Sequence, residues 1–528
     1  MVAQAIGALQ ADPTLYVRGN PPKLVTITRE PRRAERAPSP QITPVEWSTL
    51  SERLATVASW SRLVRNVDGS FAKVPAAPDR AVVSTLLTKP EKEWARPLDG
   101  ITEAPFLRRD GTICQTPGYD SPSATLYEPN AEFLPIPEAP TLEDARRALA
   151  ELREPFEEFP FRAGPDRDVP IGALLTVLGR RAIEGPVPAF CFDATGKAAG
   201  KSLAAKVVYR IATGSSMPPL TWPTNPEELE KILGGEALSG NSPIVAFDDI
   251  STPIEGGPLN KVLTVEERTK MRILGRSETP VLAWLSVLFF TGNNLSVRGD
   301  TQRRAMVARI EPQTPRPELR IFNRERLLQW VAGERLRLLA AGLTLLRAYV
   351  VAKRPRVVPL LGTFEAWSEL VPNALAWAGG ENLLDAFITA QESHDPFHAS
   401  LLTILDAWPR FLKTYPKLDE GEGLTLRNLK RTLYPEHETG PDGYDDFREA
   451  LETLAPSKTT KTTFDQNHLG RVLRQLRGQW QEGPEGWTGA RRFEARGSRT
   501  GVLRWRIEEQ EDPADTYHCN MPEPEIKQ

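Results

Sequence analysis

Three stretches hold residue types at spacings suited to phosphate chemistry. In "FDATGKAAGKS" (192–202), an apolar run leads into Thr195, Gly196, Ala198, Ala199, Gly200, Lys201 and Ser202, and a helical run continues from Leu203. Backbone N–H groups that curl round an anion, a helix N-terminus and a lysine together make a phosphate cradle. Glycine is needed there wherever φ is positive or a side chain would strike phosphate. The usual pattern is glycine, four residues, then Gly-Lys-Ser/Thr. Gly200-Lys201-Ser202 closes it, but Thr195 stands where the opening glycine belongs. Lys201 suits the β- and γ-phosphates of ATP, and Ser202 suits Mg²⁺. "PIVAFDDI" (243–250) ends an apolar strand in two carboxylates. Asp248 can hold Mg²⁺ through water, and Asp249 can orient or deprotonate an attacking water. "VLFFTGNN" (287–294) ends in Asn293, a neutral amide able to hold that water or the γ-phosphate. Arg303 and the catalytic candidate Arg304 follow, directly before another apolar run. An arginine there reaches a neighbouring subunit's γ-phosphate more readily than its own, stabilising transition-state charge in trans. Taken singly, these features are turns, strand ends and a solvated arginine pair. Their ordered succession is what implies ATP hydrolysis.

An α/β fold has to position them. From about 170 to 312, helical stretches alternate with "VPAFCFDA", "SPIVAFDD", "VLAWLSVLFFTG" and "RAMVARI". Near-continuous apolar strands between helices predict a parallel sheet covered on both faces. The run "VLAWLSVLFF" (281–290) reads as one buried strand, being about half the length a bilayer requires. Proline clusters suggest the boundaries. They predict a flexible Pro-rich segment over 1–45 and a small α+β domain over 46–165, with a helix over 46–66 and Asp-Gly hairpin signals at 66–70 and 108–112. An ATPase domain over 166–320 and a helical block over 321–415 follow. A winged-helix unit over 416–507 and a disordered tail over 508–528 complete the chain.

The balance of 66 basic against 69 acidic residues neither implies nor excludes nucleic acid, so any basic surface must be local. One such region is 465–507, where nine arginines face four acidic side chains. Arg471, Arg474 and Arg477 recur along one side of a helix, and Arg491, Arg492, Arg496 and Arg499 crowd the expected wing. Guanidinium forks suit phosphate oxygens, which makes DNA the expected partner. A solvated basic face or a protein-docking surface remains the alternative. Cys114, Cys191 and Cys519 are too few for a disulfide framework or a thiolate zinc site, and the N-terminus lacks secretory features. A soluble cytoplasmic protein without membrane contact is expected. His394 and His398, at i and i+4, lack a third ligand and read as surface-helix residues.

These motifs together resemble the superfamily 3 AAA+ helicases, in particular the poxvirus- and phage-type primase–helicase ATPases, over roughly residues 90–507. The carriers are "FDATGKAAGKS", "IVAFDD", "ILGRSE" (273–278) and "TGNNLSVRGDTQRR", with "PLDGITEAPFLRRDGTICQTPGYDSPSATLYEP" (97–129) upstream and "FEAWSELVPNALAWAG" (364–379) downstream. The resemblance implies an AAA+ P-loop core, with Asn293 as sensor 1 and Arg304 as arginine finger beside Arg303. It also implies a hexameric ring that hydrolyses ATP between subunits and acts on single-stranded or forked DNA in phage or mobile-element replication. Phage-type relatives often carry a small residue or proline at the first loop glycine, so Thr195 is compatible with turnover. Lys197 inside the loop and Asp249, where such proteins often carry asparagine, depart from the pattern. No paired-carboxylate strand motif precedes the ATPase, since Asp99, Asp110 and Asp120 fall in turns. Priming is therefore expected of a separate polypeptide. Two other readings stay open: an AAA+ loader that remodels proteins on DNA without unwinding it, and a non-enzymatic DNA-binding initiator or regulator with a vestigial pocket. For a motor, the DNA-gripping loop would come from Lys261, Lys270, Arg272 and Arg276.

Overall fold

The computed structural model describes residues 1–509 except 11, 30–39, 90–91, 197, 273–278, 313–316, 318–321, 395, 420–422, 436–439, 458–462, 480, 482–486, 488 and 498–502. The chain divides into two units, Met1–Ala390 and Gln391–Gln528. Within the first, α1 (Val2–Leu9), β1 (Leu15–Arg18), β2 (Lys23–Arg29) and β3 (Pro40–Pro44) occupy much of the segment expected to be flexible. Alternation along β1 and β2 explains the difference. Leu15 and Leu24 enter one core with Ala5, Leu9 and Leu50, while Tyr16 and Val25 enter another with Leu98. Burial on both faces fixes these strands despite the prolines that flank them. The middle of the Pro-rich stretch, 30–39, lies outside the described residues.

α2 (Trp47–Val57) ends sooner than expected, at Ala58 in extended backbone, and the chain turns into β4 (Ser61–Arg65) and β5 (Phe71–Pro75). These pair as an antiparallel hairpin at the first Asp-Gly signal. α3 (Arg80–Thr88), capped by Asp79, leads to β6 (Arg96–Pro97) and β7 (Gly100–Thr102). β8 (Phe106–Leu107) and β9 (Ile113–Cys114) form a short hairpin at the second signal, followed by β10 (Gly118–Asp120) and β11 (Thr125–Tyr127). α4 (Leu142–Arg153) opens on a reciprocal capping box between Thr141 and Asp144. α5 (Gly164–Gly179) then packs beneath the central sheet.

That sheet is built from β12 (Ala189–Ala194), β13 (Ile244–Ile250), β16 (Val287–Asn293) and β17 (Ala305–Ile310), in the order β13-β16-β12-β17. All of its pairings are parallel. α6 (Lys201–Thr213), α7 (Pro226–Ser239) and α8 (Gly257–Val262) lie between its strands in sequence. Successive residues alternate between two cores: Phe190, Phe192, Ala246 and Phe289 pack against α5 and α6, whereas Cys191, Val245, Phe247 and Phe290 pack against α7 and α8. The apolar runs therefore carry no polar face. The run 281–290 is two strands rather than one. β15 (Val281–Ala283) pairs with β14 (Arg268–Lys270), and the chain joins the central sheet only at Val287. Arg180 donates to Trp284 O and Ser286 donates to Ser242 O, which holds the crossing between the two ladders.

The helical stretch 321–415 does not form one body. α9 (Leu327–Val351) and α10 (Glu365–Trp377) complete the core beside α5 in the first unit. α11 (Leu383–His394) spans the division, and α12 (Pro396–Thr414) belongs to the second unit. There its Trp408 and Phe411 form a core with α13 (Leu426–Leu433), α14 (Asp445–Leu454), α15 (Gln466–Leu476) and the antiparallel pair β18 (Arg491–Gly497) and β19 (Leu503–Glu509). Three helices followed by a hairpin is the predicted order, but α12 supplies much of the core and had been expected outside the unit. The side chains of His394 and His398, and most of the predicted tail, fall outside the described residues.

Candidate active site

In an open parallel sheet, ligands collect beyond the carboxyl ends of the strands, and all three motifs end there. β12 runs into the loop at Thr195 and Gly196, and α6 starts at Lys201 with Gly200 as N-cap. Gly200 has φ 103° and Ala198 φ 59°, so the loop closes through left-handed backbone that glycine takes without strain. No side chain caps α6, and its first-turn N–H groups have no partner within the helix. Lys197 lies outside the described residues, as does "ILGRSE" with Arg276.

The second station meets the first directly. Ser202 Oγ donates to Asp248 Oδ1 at 2.7 Å, and Lys201 Nζ lies 3.7 Å from Asp249 Oδ1. β13 shifts register against β16 between Phe247 and Ile250, and Asp249 takes φ 56°. In a regular strand adjacent side chains point to opposite faces. The irregularity instead turns both carboxylates toward the loop.

Thr291 joins these groups and was missed from the sequence. Its hydroxyl donates to Asp248 Oδ1, accepts from Asp249 N at 3.2 Å and lies 3.2 Å from Ser202 Oγ. The available signal was a polar residue inside "VLFFTGN", two places before Asn293 and therefore on the same strand face. Burial of Asp248 would raise its carboxyl pKa, but hydrogen bonds from Thr291 and Ser202, with Lys206 and Lys201 nearby, hold it below the usual 3.8. Asn293 pairs in register with Ala194 at the start of the loop, and its Oδ1 is buried without a hydrogen-bond partner among the described residues.

Asp193, fully buried in β12, was also missed. It accepts from the N–H groups of Ala194 and Leu295 at 2.8 and 2.9 Å and from Arg309 Nη1. Arg309 in turn donates to Asn294 Oδ1 at 3.1 Å. This network ties the strand before the loop to the segment carrying Asn293. Beside the loop lies a largely apolar cleft of about 470 Å³, lined among others by Phe159, Pro160, Ala199, Gly200, Leu203 and Leu327.

The arginine pair divides. Arg304 Nη1 donates to Asn260 Oδ1 at 3.1 Å and to Asp300 O at 2.9 Å, so it is engaged within its own chain. Arg303 is exposed.

In the second unit, Arg471 and Arg474 are exposed along α15, whereas Arg477, exposed too, lies just past the end of the helix and 3.2 Å from Glu494. Arg496 is exposed, and Arg499 lies outside the described residues. Arg491 and Arg492 depart from the expected open basic wing. Arg491 stacks 4.2 Å above Trp487 and pairs with Asp406 and Glu509, while Arg492 pairs with Glu508 at 2.9 Å. Those three carboxylates lie outside the 465–507 stretch, so its arginine excess overstated the free positive charge.

Among the described residues no group of three or more His, Cys, Asp or Glu is disposed to hold a metal, and no helix is long and apolar enough to cross a membrane. Fold and site together define a mixed α/β protein with a parallel-sheet core. No family model matches the chain, and no curated protein matches it. Among solved structures, the apo C-terminal region of NrS-1 is similar at 11% identity with a TM-score of 0.39, covering 85% of this chain and 96% of that one. JCV helicase bound to a thiazolopyridinyl-phenoxyphenyl acetamide is similar at 13% identity with a TM-score of 0.19, covering 45% of this chain and 68% of that one.

Proposed function

We propose that this protein is an Mg²⁺-dependent ATPase of the superfamily 3 AAA+ type, working as a hexameric ring in the family pattern, that moves along or unwinds DNA in phage or mobile-element replication. The observation that carries the reading is the contact of Ser202 with Asp248 under the first turn of α6, with Lys201 and Asp249 alongside. Residues 46 positions apart are brought together as phosphate transfer requires.

In this reading the adenine enters the apolar cleft, whose volume falls within the range of about 300–1,000 Å³ usual for small-molecule sites. The amides at the start of α6 and the ammonium of Lys201 hold the phosphates. A hydroxyl and a depressed carboxylate 2.7 Å apart suit Mg²⁺, a hard cation that takes few protein oxygens and completes its shell with phosphate and water. Ser202 and Asp248 would hold it, and it would neutralise charge on the β- and γ-phosphates. Asp249, largely exposed, orients and deprotonates the attacking water, and the unpartnered Asn293 Oδ1 accepts a hydrogen bond from it. An arginine of the 303–304 pair acts on a neighbour's γ-phosphate, and Arg303 is the one not already engaged. The helices and hairpin of the second unit act as a winged helix that touches DNA through Arg471, Arg474 and Arg477. Priming belongs to another polypeptide.

The test is ATP hydrolysis with and without single-stranded DNA, comparing the parent with Lys201→Ala. DNA-stimulated turnover that the substitution abolishes supports the reading. Equal inactivity of both proteins sinks it and favours a DNA-binding regulator. Turnover without strand displacement favours the loader.

A further inference from the structure

The hairpin β4–β5 supplies no residue to the phosphate site and has no assigned task. Among the described residues it pairs with no third strand, and an isolated two-stranded hairpin is at best marginally stable in water. Yet it exposes large apolar side chains: Leu63 is 69% and Phe71 66% exposed, and Val67 at the tip is fully so. Its register puts Leu63 opposite Lys73 and Arg65 opposite Phe71. Directly opposed residues share a face. One face therefore presents an aromatic ring and a leucine alternating with two cations, and no carboxylate. The third cation, Arg62, lies opposite Val74 on the other face. The one acid, Asp68, sits in the turn, where it accepts from the N–H and hydroxyl of Ser70 at 2.9 and 2.6 Å. Arg62, Arg65 and Lys73 make no ion pair with any described residue. At its base the hairpin is anchored by Ala76 N to Trp60 O, and by Trp60 Nε1 to Leu54 O.

We propose that this hairpin is a docking surface for single-stranded nucleic acid. Unpaired cations meet phosphates, and an exposed ring offers a flat platform to an unstacked base. A protein partner would favour a continuous apolar patch, whereas here cations interrupt the apolar side chains. Duplex DNA would leave Phe71 without a base face to cover. The contact needs no nucleotide, so it does not depend on the ATPase reading.

The test uses the full chain without ATP and a fluorescein-labelled oligothymidine, with binding read by anisotropy across a salt series. To prevent α15 from hiding the effect, it is run in the parent and in an Arg471→Ala/Arg474→Ala background. Phe71→Ala should weaken binding roughly 5- to 150-fold, the range for loss of one stacked base. Phe71→Trp should retain it. Arg65→Ala/Lys73→Ala should reduce the slope of log affinity against log salt by about 1.4, the single-strand value for two phosphates. Ultraviolet crosslinking to an iodouracil-substituted strand should label the 61–75 peptide. Parent-like affinity and slope in these variants, with no crosslink there, would overturn the proposal. So would unchanged DNA binding combined with altered self-association in Phe71→Ala, which would make the surface an interface between copies. If the parent lacks ATPase activity while these binding effects persist, the ATPase reading falls and this one stands.

Discussion

Thr291→Val removes one hydroxyl at nearly constant volume from the point where the motifs meet. The hydroxyl donates to Asp248 and accepts from Asp249 N, so its loss takes one of two donors from a carboxylate and leaves a backbone N–H unmatched. A hydrogen bond to a charged group contributes about 1.5–3 kcal/mol, equivalent to about a 10- to 150-fold change. The expected result is a fall of that size in kcat with KM for ATP little changed, because the phosphate-binding amides are untouched. Charge balance adds a second signature. Burial pushes the Asp248 pKa up and the two hydroxyls pull it below 3.8. Removing one hydroxyl raises it, so protons compete with Mg²⁺ as pH falls. The Mg²⁺ concentration for half-maximal activity should therefore increase more at acidic than at alkaline pH, and Thr291→Ser should restore both properties. Steady-state ATPase titrated with Mg²⁺ at two pH values measures all of this. A valine variant with the parent's kcat and Mg²⁺ response would refute a load-carrying role for the hydroxyl.

Three further outcomes follow from the same geometry. Arg303→Ala should cut turnover by about 10³-fold or more, the lower end for loss of a transferred arginine, and mixing it with Lys201→Ala subunits should restore part of the activity. No recovery on mixing would argue against action in trans. Arg491→Ala should lower the melting temperature while leaving the salt slope of DNA binding unchanged, because its partners are Trp487, Asp406 and Glu509. A changed slope with unchanged melting would reverse that assignment. Asp193→Asn breaks a buried pair with Arg309 and should cost about 3–5 kcal/mol of stability, measured by urea unfolding; a loss under about 1 kcal/mol would show that the pair is not uncompensated when cut.

The strand endings were legible because a strand buried on both faces is a nearly unbroken apolar run, and the first polar residue after it marks the sheet's edge. "AFCF", "IVAF" and "VLFF" announced Asp193, Asp248 and Thr291 in that sense, although only Asp248 was recognised as functional. The bonds among stations were not legible, because they depend on which strands neighbour one another. β16 lies between β12 and β13, and that adjacency brings Thr291 to both Ser202 and Asp248. The N-terminal strands are hidden in the sequence for a related reason. Prolines flank them, but Leu15 and Tyr16 each find a separate core, which composition cannot reveal. Arg491 and Arg492 differ from the expected open wing because their carboxylate partners Asp406, Glu508 and Glu509 lie outside residues 465–507.

The adjacent carboxylates of β13 hold very different environments, and the local backbone explains how. Asp248 is half-buried and receives two hydroxyl donors, so it stays ionised and directed toward Ser202. Asp249, one residue on in left-handed backbone, has a side chain 82% exposed, with the Lys201 ammonium at 3.7 Å its one ion pair among the described residues. Were β13 regular to its end, one of these side chains would face away from the loop. In the proposed reading, a γ-phosphate arriving at Lys201 is a more highly charged partner than Asp249 and displaces it. The carboxylate is then released beside the phosphate it must supply with water. Binding and activation would thus share one ammonium, and Lys201 would control when Asp249 becomes available as a base.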